Sequence, residues 1–235
     1  MSSPSLPHAA TVAWWLTSWL RGHEQTDHVL DELTTDTHLL EGGSALDLLV
    51  RARATGATHA GVALPVDGDP LGLGGPRAFN EAALEAGQAV VVGGTGFVPR
   101  EQGETVQWTV HDAAPRQLPD VGEADRGLRQ ALLTAAGDLA DLDVARWRPE
   151  AADALMNLHH RPALTAPTGT PPRCADLAAR GLKAWTIVDL ALLDDGGAVT
   201  AYEIGRRREL LAPLSAAARR AIVAACSPEV WPGQV

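Results

Sequence analysis

Apolar positions in the first twenty residues recur at helical spacing. Val12, Trp15, Leu16, Trp19 and Leu20 stand at i, i+3, i+4, i+7 and i+8, which predicts a helix over about 9–21 with one buried face. Gly22 supplies its stop. A shorter helix over about 24–33 turns Val29, Leu30 and Leu33 inward, and a brief strand is expected at 37–40. Ser44 and Asp47 form a capping pair ahead of Leu46, Leu49 and Val50, and Gly56 closes the helix they open.

The pattern then changes period. Residues 58–64 alternate loosely as a strand, and a loop rich in glycine, proline and aspartate follows from Pro65 to Pro76. Pro76 stands where a first helical residue belongs and Gly87 where a helix stops. The wholly apolar run 89–92 reads as a buried central strand, broken by Gly93-Gly94. Residues 104–111 put Val106, Trp108 and Val110 on one side of a further strand. Two strands joined through a helix suggest a parallel crossover, with the third strand returning antiparallel.

Beyond a connection at 115–122 the spacing is helical throughout. Leu128, Leu132, Ala135, Leu139 and Leu142 step by four and three, and Pro149 opens another helix that ends near 159–162. A proline-rich loop at 161–172 leads to a helix from Arg173 toward Leu193, stopped by Asp194-Asp195-Gly196-Gly197. Thr200 and Glu203 make a capping box, and Pro213-Leu214-Ser215 separates that helix from a last one at 216–226. The reading is a mixed α/β fold. A small mixed sheet with helices occupies 1–115, and an all-helical unit occupies 120–235.

Composition narrows the partners. Hydrophobic residues make up 46% and charged residues 20%, as in an ordinary globular protein. No run approaches the ~18–20 apolar residues of a membrane span, and no Lys or Arg precedes the apolar stretch 9–20 as a secretory signal requires. Cys174 and Cys226 form no CxxC pair and are expected as buried thiols of a cytoplasmic protein. The net charge is −10; residues 170–235 carry eight basic and seven acidic side chains, a net +1, which leaves −11 for the first 169. Nucleic acid is therefore not an expected partner. Arg206-Arg207-Arg208 and Arg219-Arg220, on two helices with a tight turn between, imitate a helix-turn-helix, but Glu203 and Glu209 dilute the patch.

The chemistry-bearing motifs are thin. Gly72 and Gly74 begin a GxGxxG, but position 77 is Arg, and no Gly-Lys-Ser/Thr exists. Pro76 removes an amide from the helix start and Asp67 and Asp69 add negative charge, so the loop suits a rigid turn or an uncharged or cationic ligand better than phosphate. Asp67, Asp69, Gly72, Gly74, Gly75, Arg77 and Asn80 are the candidate ligand-binding residues. Gly74 or Gly75 is expected at positive φ or against neighbouring backbone, and the two aspartates as solvated turn residues. His23 and His28 are five apart, one residue off HExxH, and His159-His160 are adjacent, so no metal site is expected. No GxSxG or activated cysteine identifies a nucleophile. Asp27, Asp31 and Glu32 read as a solvated face. Trp14 points off the first helix's stripe, which leaves burial under a neighbouring helix or exposure on a partner surface open.

The block Gly68-Asp69-Pro70-Leu71-Gly72-Leu73-Gly74-Gly75-Pro76, with Phe79-Asn80 and Ala86-Gly87-Gln88-Ala89-Val90, resembles a block of uncharacterised actinobacterial proteins. Val188-Asp189-Leu190-Ala191-Leu192 and Asp195-Gly196-Gly197-Ala198 extend the resemblance over most of the chain. It implies a bacterial, cytoplasmic origin and supplies no activity, cofactor or catalytic residue. The functional expectation is a non-enzymatic cytoplasmic protein that binds a partner protein or small ligand. No cofactor, metal, nucleic acid or membrane is expected. The alternative is a small-molecule enzyme with its site at the Asp67–Arg77 loop.

Overall fold

In the structure, a computed structural model describing residues 5–34, 38–141, 164–193 and 201–233, five strands form one mixed sheet. They are β1 (His38–Leu40), β2 (Gly61–Ala63), β3 (Ala89–Val92), β4 (Thr95–Gln102) and β5 (Thr105–Asp112), in the order β1-β5-β4-β3-β2. Helices α1 (His8–Leu20), α2 (Thr26–Thr34), α3 (Ala45–Ala54) and α4 (Arg77–Ala86) are interleaved with the strands. Helices α5 (Val121–Asp141), α6 (Pro172–Leu193) and α7 (Ala201–Ala225) follow, and a 3-10 turn spans Pro228–Val230.

Helix α1 is buried on more than its predicted stripe. Every residue from Val12 to Trp19 is inside, because the sheet covers one side and the end of α7 reaches the other. Trp14 is 2% exposed and its Nε1 donates to Ala225 O at 3.2 Å, so this tryptophan packs under a neighbouring helix. Trp231 Nε1 donates to the same oxygen at 2.9 Å. Two indoles thus satisfy a carbonyl in the last turn of α7, where no further helical amide is in place to do so.

The sheet differs from the expected crossover at one point. Strands β2 and β3 are antiparallel neighbours, with Val62 opposite Val90. The reason lies in the loop after β2. Leu64 N–H donates to Leu71 O at 3.1 Å and Val66 pairs with Asp69, so the chain reverses before α4 begins. Having already returned alongside β2, it packs α4 on β4 and β5 and brings β3 back against β2. The parallel pair lies elsewhere, between β1 and β5, with His38 beside Val106. Strand β4 was not anticipated, since Gly96 and Pro99 mask its alternation. Pro99 lies past the end of β3, on a stretch of β4 bordered by β5 alone, where proline is tolerated.

Local signals hold where they rest on backbone hydrogen bonding. Ser44 and Asp47 form a full capping box on α3, and Gly87 ends α4 in the left-handed region. Pro76 is the residue before α4 rather than its first, and α5 starts at Val121, ahead of the expected stripe. The expected break at Pro213 does not occur, and α7 runs through it. Pro213 is exposed, so the carbonyl it leaves without a donor meets water, while Leu211 and Leu214 are buried and hold the helix in place. The basic clusters therefore share one helix instead of forming a helix-turn-helix. The helix expected from Pro149, the stop at 194–197 and the capping box at Thr200 and Glu203 lie outside the described residues or side chains.

Two apolar clusters stabilise the fold. The smaller joins Phe79 and Ala83 of α4 to Ala63, Ala89, Val91 and Val98 on one sheet face. The larger runs without interruption from Leu6 to Trp231, through α1, the opposite sheet face and α5–α7. The sheet and the later helices thus share one core.

Replacing Pro213 with alanine restores a helical hydrogen bond without touching the core. It is expected to raise stability by about 1–2 kcal/mol, seen as an upward shift of several degrees in Tm. An unchanged or lower Tm would show that the proline is required in place. Burial raises the Cys174 thiol to about 11 and holds Cys226 well above its ordinary value. Both remain protonated at neutral pH, so iodoacetamide is expected to label neither in the native protein and both in denaturant. The raised values also mean that the unfolded chain ionises first. This contribution to stability is therefore intact below the ordinary thiol range and lost as pH rises toward 11.

Candidate functional site

Strand β2 is the last in the sheet, so its outer backbone groups need partners from elsewhere. Side chains supply them. Val62 N–H donates to Ser227 Oγ at 3.0 Å, and Val62 O accepts from Arg116 Nη1 at 2.7 Å. Leu64 O accepts from Arg219 Nη1 at 2.9 Å. At the strand's start, Thr17 Oγ1 donates to Ala60 O and accepts from Ala60 N–H, each at 3.0 Å.

Each of the two arginines reaches on to a carboxylate. Arg116 Nη2 donates to Glu229 Oε1 at 2.7 Å while Nη1 also contacts Gly72 O at 3.3 Å. Arg219 Nη2 donates to Asp69 Oδ2 at 3.0 Å. Both side chains are nearly dry, at 5% and 8% exposure. The planar guanidinium suits this task, because its donors reach a carbonyl and a carboxylate at once. Asp69 is shared. Arg220 Nη2 approaches Oδ1 at 3.2 Å and Nη1 approaches Oδ2 at 3.1 Å, so one carboxylate faces two cations.

The reversed loop is held by shape. Gly72 has φ +81°, and a Cβ there would lie 2.6 Å from Val62 O. A Cβ on Gly74 would meet the carbonyl oxygens of Pro115 and Ala114. Gly75 N–H donates to Asn80 Oδ1 at 3.0 Å, and Gly75 O accepts from Ala114 N–H at 2.8 Å. These contacts tie the loop to the 113–120 connection and to the first turn of α4.

Residues 69–73, residues 115–119, the start of α5 and the middle of α7 together enclose an open cleft of about 660 Å³. Leu71, Leu73 and Leu118 give it apolar surface; Asp69, Arg116, Gln117, Glu123 and Arg220 give it polar surface. Of the seven residues singled out in the sequence, Asp69 and Gly72 line this cleft. Gly75 and Asn80 are bonded to each other, and Gly74 lies against the backbone of Ala114 and Pro115. Arg77 pairs with Glu81 at 2.7 Å on the exposed face of α4, and Asp67 is exposed at the loop tip. No histidine joins them at the cleft. Arg116, Glu123, Arg219 and Glu229 were not anticipated as a group, although the near-exclusive use of arginine over lysine is consistent with forked contacts of this kind.

Asp69 is thus an ion-pair partner rather than a solvated turn residue, and the two aspartates are expected to separate in thermal melts. Asp69→Asn leaves Arg219 buried beside a neutral amide and is expected to cost about 1–3 kcal/mol. Asp67→Asn is expected to change Tm little. Gly72→Val, strained at its φ and crowding Val62 O, is expected to cost a similar 1–3 kcal/mol or more. Equal melting of the two aspartate variants would remove the ion pair from the account of the loop.

Two adjoining family matches cover most of the chain. The Rv1486c-like protein N-terminal domain matches residues 9–121, and the Rv1486c-like protein C-terminal domain matches residues 122–223. The boundary between them falls at the start of α5, beside the cleft. No curated protein and no solved structure matches the chain. The descriptions name a family and no activity, and on these two matches the chain belongs to the Rv1486c-like family.

Proposed function

We propose that this is a non-enzymatic cytoplasmic protein of bacterial, actinobacterial type that binds a small ligand in the cleft between the 69–73 loop and the helices α5 and α7. The observation that carries this reading is the cleft itself. Its volume, about 660 Å³, lies within the ordinary range for small-molecule sites, and leucine and proline side chains alternate there with a few charged groups. Its lining holds no Ser, Thr, Cys, His, Lys or Tyr, so hydroxyl, thiol, amine or imidazole chemistry has no residue to begin from in that lining. Asp69 is engaged by two arginines, which leaves it poorly placed as a general base.

The same pairings bear on partners. Arg219 and Arg220 turn toward Asp69, and Arg206 pairs with Glu209 at 3.1 Å, so these arginines form no continuous basic strip. The reading accordingly assigns no nucleic acid. It assigns no membrane either; no described helix is long and apolar enough to cross one.

Gly127 offers a direct test. It lines the cleft on α5, and a Cβ there would meet nothing within 4 Å. Gly127→Phe is expected to fill the cleft and, by removing a helical glycine, to leave Tm unchanged or slightly higher. Native mass spectrometry of protein purified from its own host is expected to show a retained small molecule on the unsubstituted chain and none on Gly127→Phe. Absence of any retained mass, or an identical one on both, would count against the cleft as the binding site.

A further inference from the structure

Six ionised side chains stand in or behind the cleft wall: Asp69, Arg116, Glu123, Arg219, Arg220 and Glu229. Four of them cancel within the protein. Arg116 is matched by Glu229 at 2.7 Å, and the nearly dry Arg219 is matched by Asp69 at 3.0 Å. Arg220 is the surplus. It rests on a carboxylate whose single charge Arg219 already balances, and its side chain is 43% exposed at the cleft. The cluster of two guanidiniums and one carboxylate therefore carries a net positive charge, and Arg220 is the member able to turn to a new partner.

Glu123 is the opposite surplus. It stands in the first turn of α5, lines the same cleft, and has no ion pair among the described residues. Its backbone N–H is capped by Asp120 Oδ1 at 3.0 Å, and no hydrogen bond among the described residues engages its own carboxylate. The cleft thus has an unbalanced cation on α7 and an unbalanced anion on α5. Leu71, Leu73 and Leu118 line the same cleft and give it aliphatic surface.

From this arrangement we infer that the ligand is a small zwitterion with its charges at opposite ends: a carboxylate for Arg220, an ammonium group for Glu123, and an aliphatic body between them. The inference rests on the reading of the cleft as a ligand site. A carboxylate arriving at Arg220 forms a forked, charge-assisted pair of hydrogen bonds. Asp69 keeps Arg219 when Arg220 turns away, so the loop stays closed. The ammonium end finds in Glu123 a carboxylate that needs no displacement. Matched charges at both ends also discriminate, because a ligand lacking one end leaves the facing protein charge without a partner.

Isothermal titration of the full chain with ω-amino acids from 4-aminobutanoate to 8-aminooctanoate tests this, each compared with the alkanoate and the alkylamine of equal length. One member of the amino-acid series is expected to bind about tenfold or more tighter than both of its matched controls. Glu123→Gln is expected to reduce it to the affinity of the alkanoate, and Arg220→Gln to that of the alkylamine. Both variants are expected to keep the unsubstituted Tm, since neither removes the Asp69–Arg219 pair. Gly127→Phe is expected to abolish binding. If alkanoates bind as tightly as ω-amino acids and Gly127→Phe still blocks them, the zwitterion is wrong and the cleft reading stands. Binding that survives Gly127→Phe sinks the cleft reading itself. Failure of every probe to bind the unsubstituted chain overturns the zwitterion, and the retained mass in native spectrometry then judges the cleft separately.

Discussion

The outer edge of β2 is the constraint around which this chain is arranged. A sheet edge exposes donors and acceptors that must be paired, covered or hydrated. Here they are paired by side chains drawn from α1, from the 113–120 connection, from α7 and from the segment after it. Two of those side chains are arginines, and burying a guanidinium requires a nearby carboxylate. Asp69 and Glu229 meet that need, so sealing the edge also fixes the loop after β2 and the segment after α7. Loop, connection and helix come together at this seam, and the cleft is the space their meeting leaves open.

This arrangement joins the two family-matched segments more closely than a linker would. The apolar cluster that runs from Leu6 to Trp231 crosses the boundary, and the hydrogen bonds of Trp14 and Trp231 to Ala225 anchor the end of α7 beside α1. A ligand in the cleft would touch both segments, which gives binding a means to alter how tightly they are held.

Much of the fold was legible in the sequence because it depends on neighbours in the chain. The stripe of α1, the capping box at Ser44, the glycine stop at Gly87 and the apolar run of β3 are all local signals. The failures have long-range causes. Strand β4 was hidden by Gly96 and Pro99, which are acceptable only because Phe79 packs against the one and β3 ends before the other. The helix through Pro213 persists because burial of Leu211 and Leu214 outweighs a lost hydrogen bond. Glycines mark the candidate loop in the sequence, but nothing local marks its polar partners. Arg116 and Arg219 lie 54 and 155 residues from the carbonyls they bind, and periodicity carries no trace of such distances.

Those separations have a consequence in time. During synthesis β2 leaves the ribosome well before the residues that close its edge. At roughly 5–20 residues per second, the 155 residues between Leu64 and Arg219 take on the order of 10–30 s to follow. Through that interval Leu64 O has no guanidinium to receive, while Val62 O waits only for Arg116, 54 residues on. A nascent chain in this state offers a template for any other extended segment nearby.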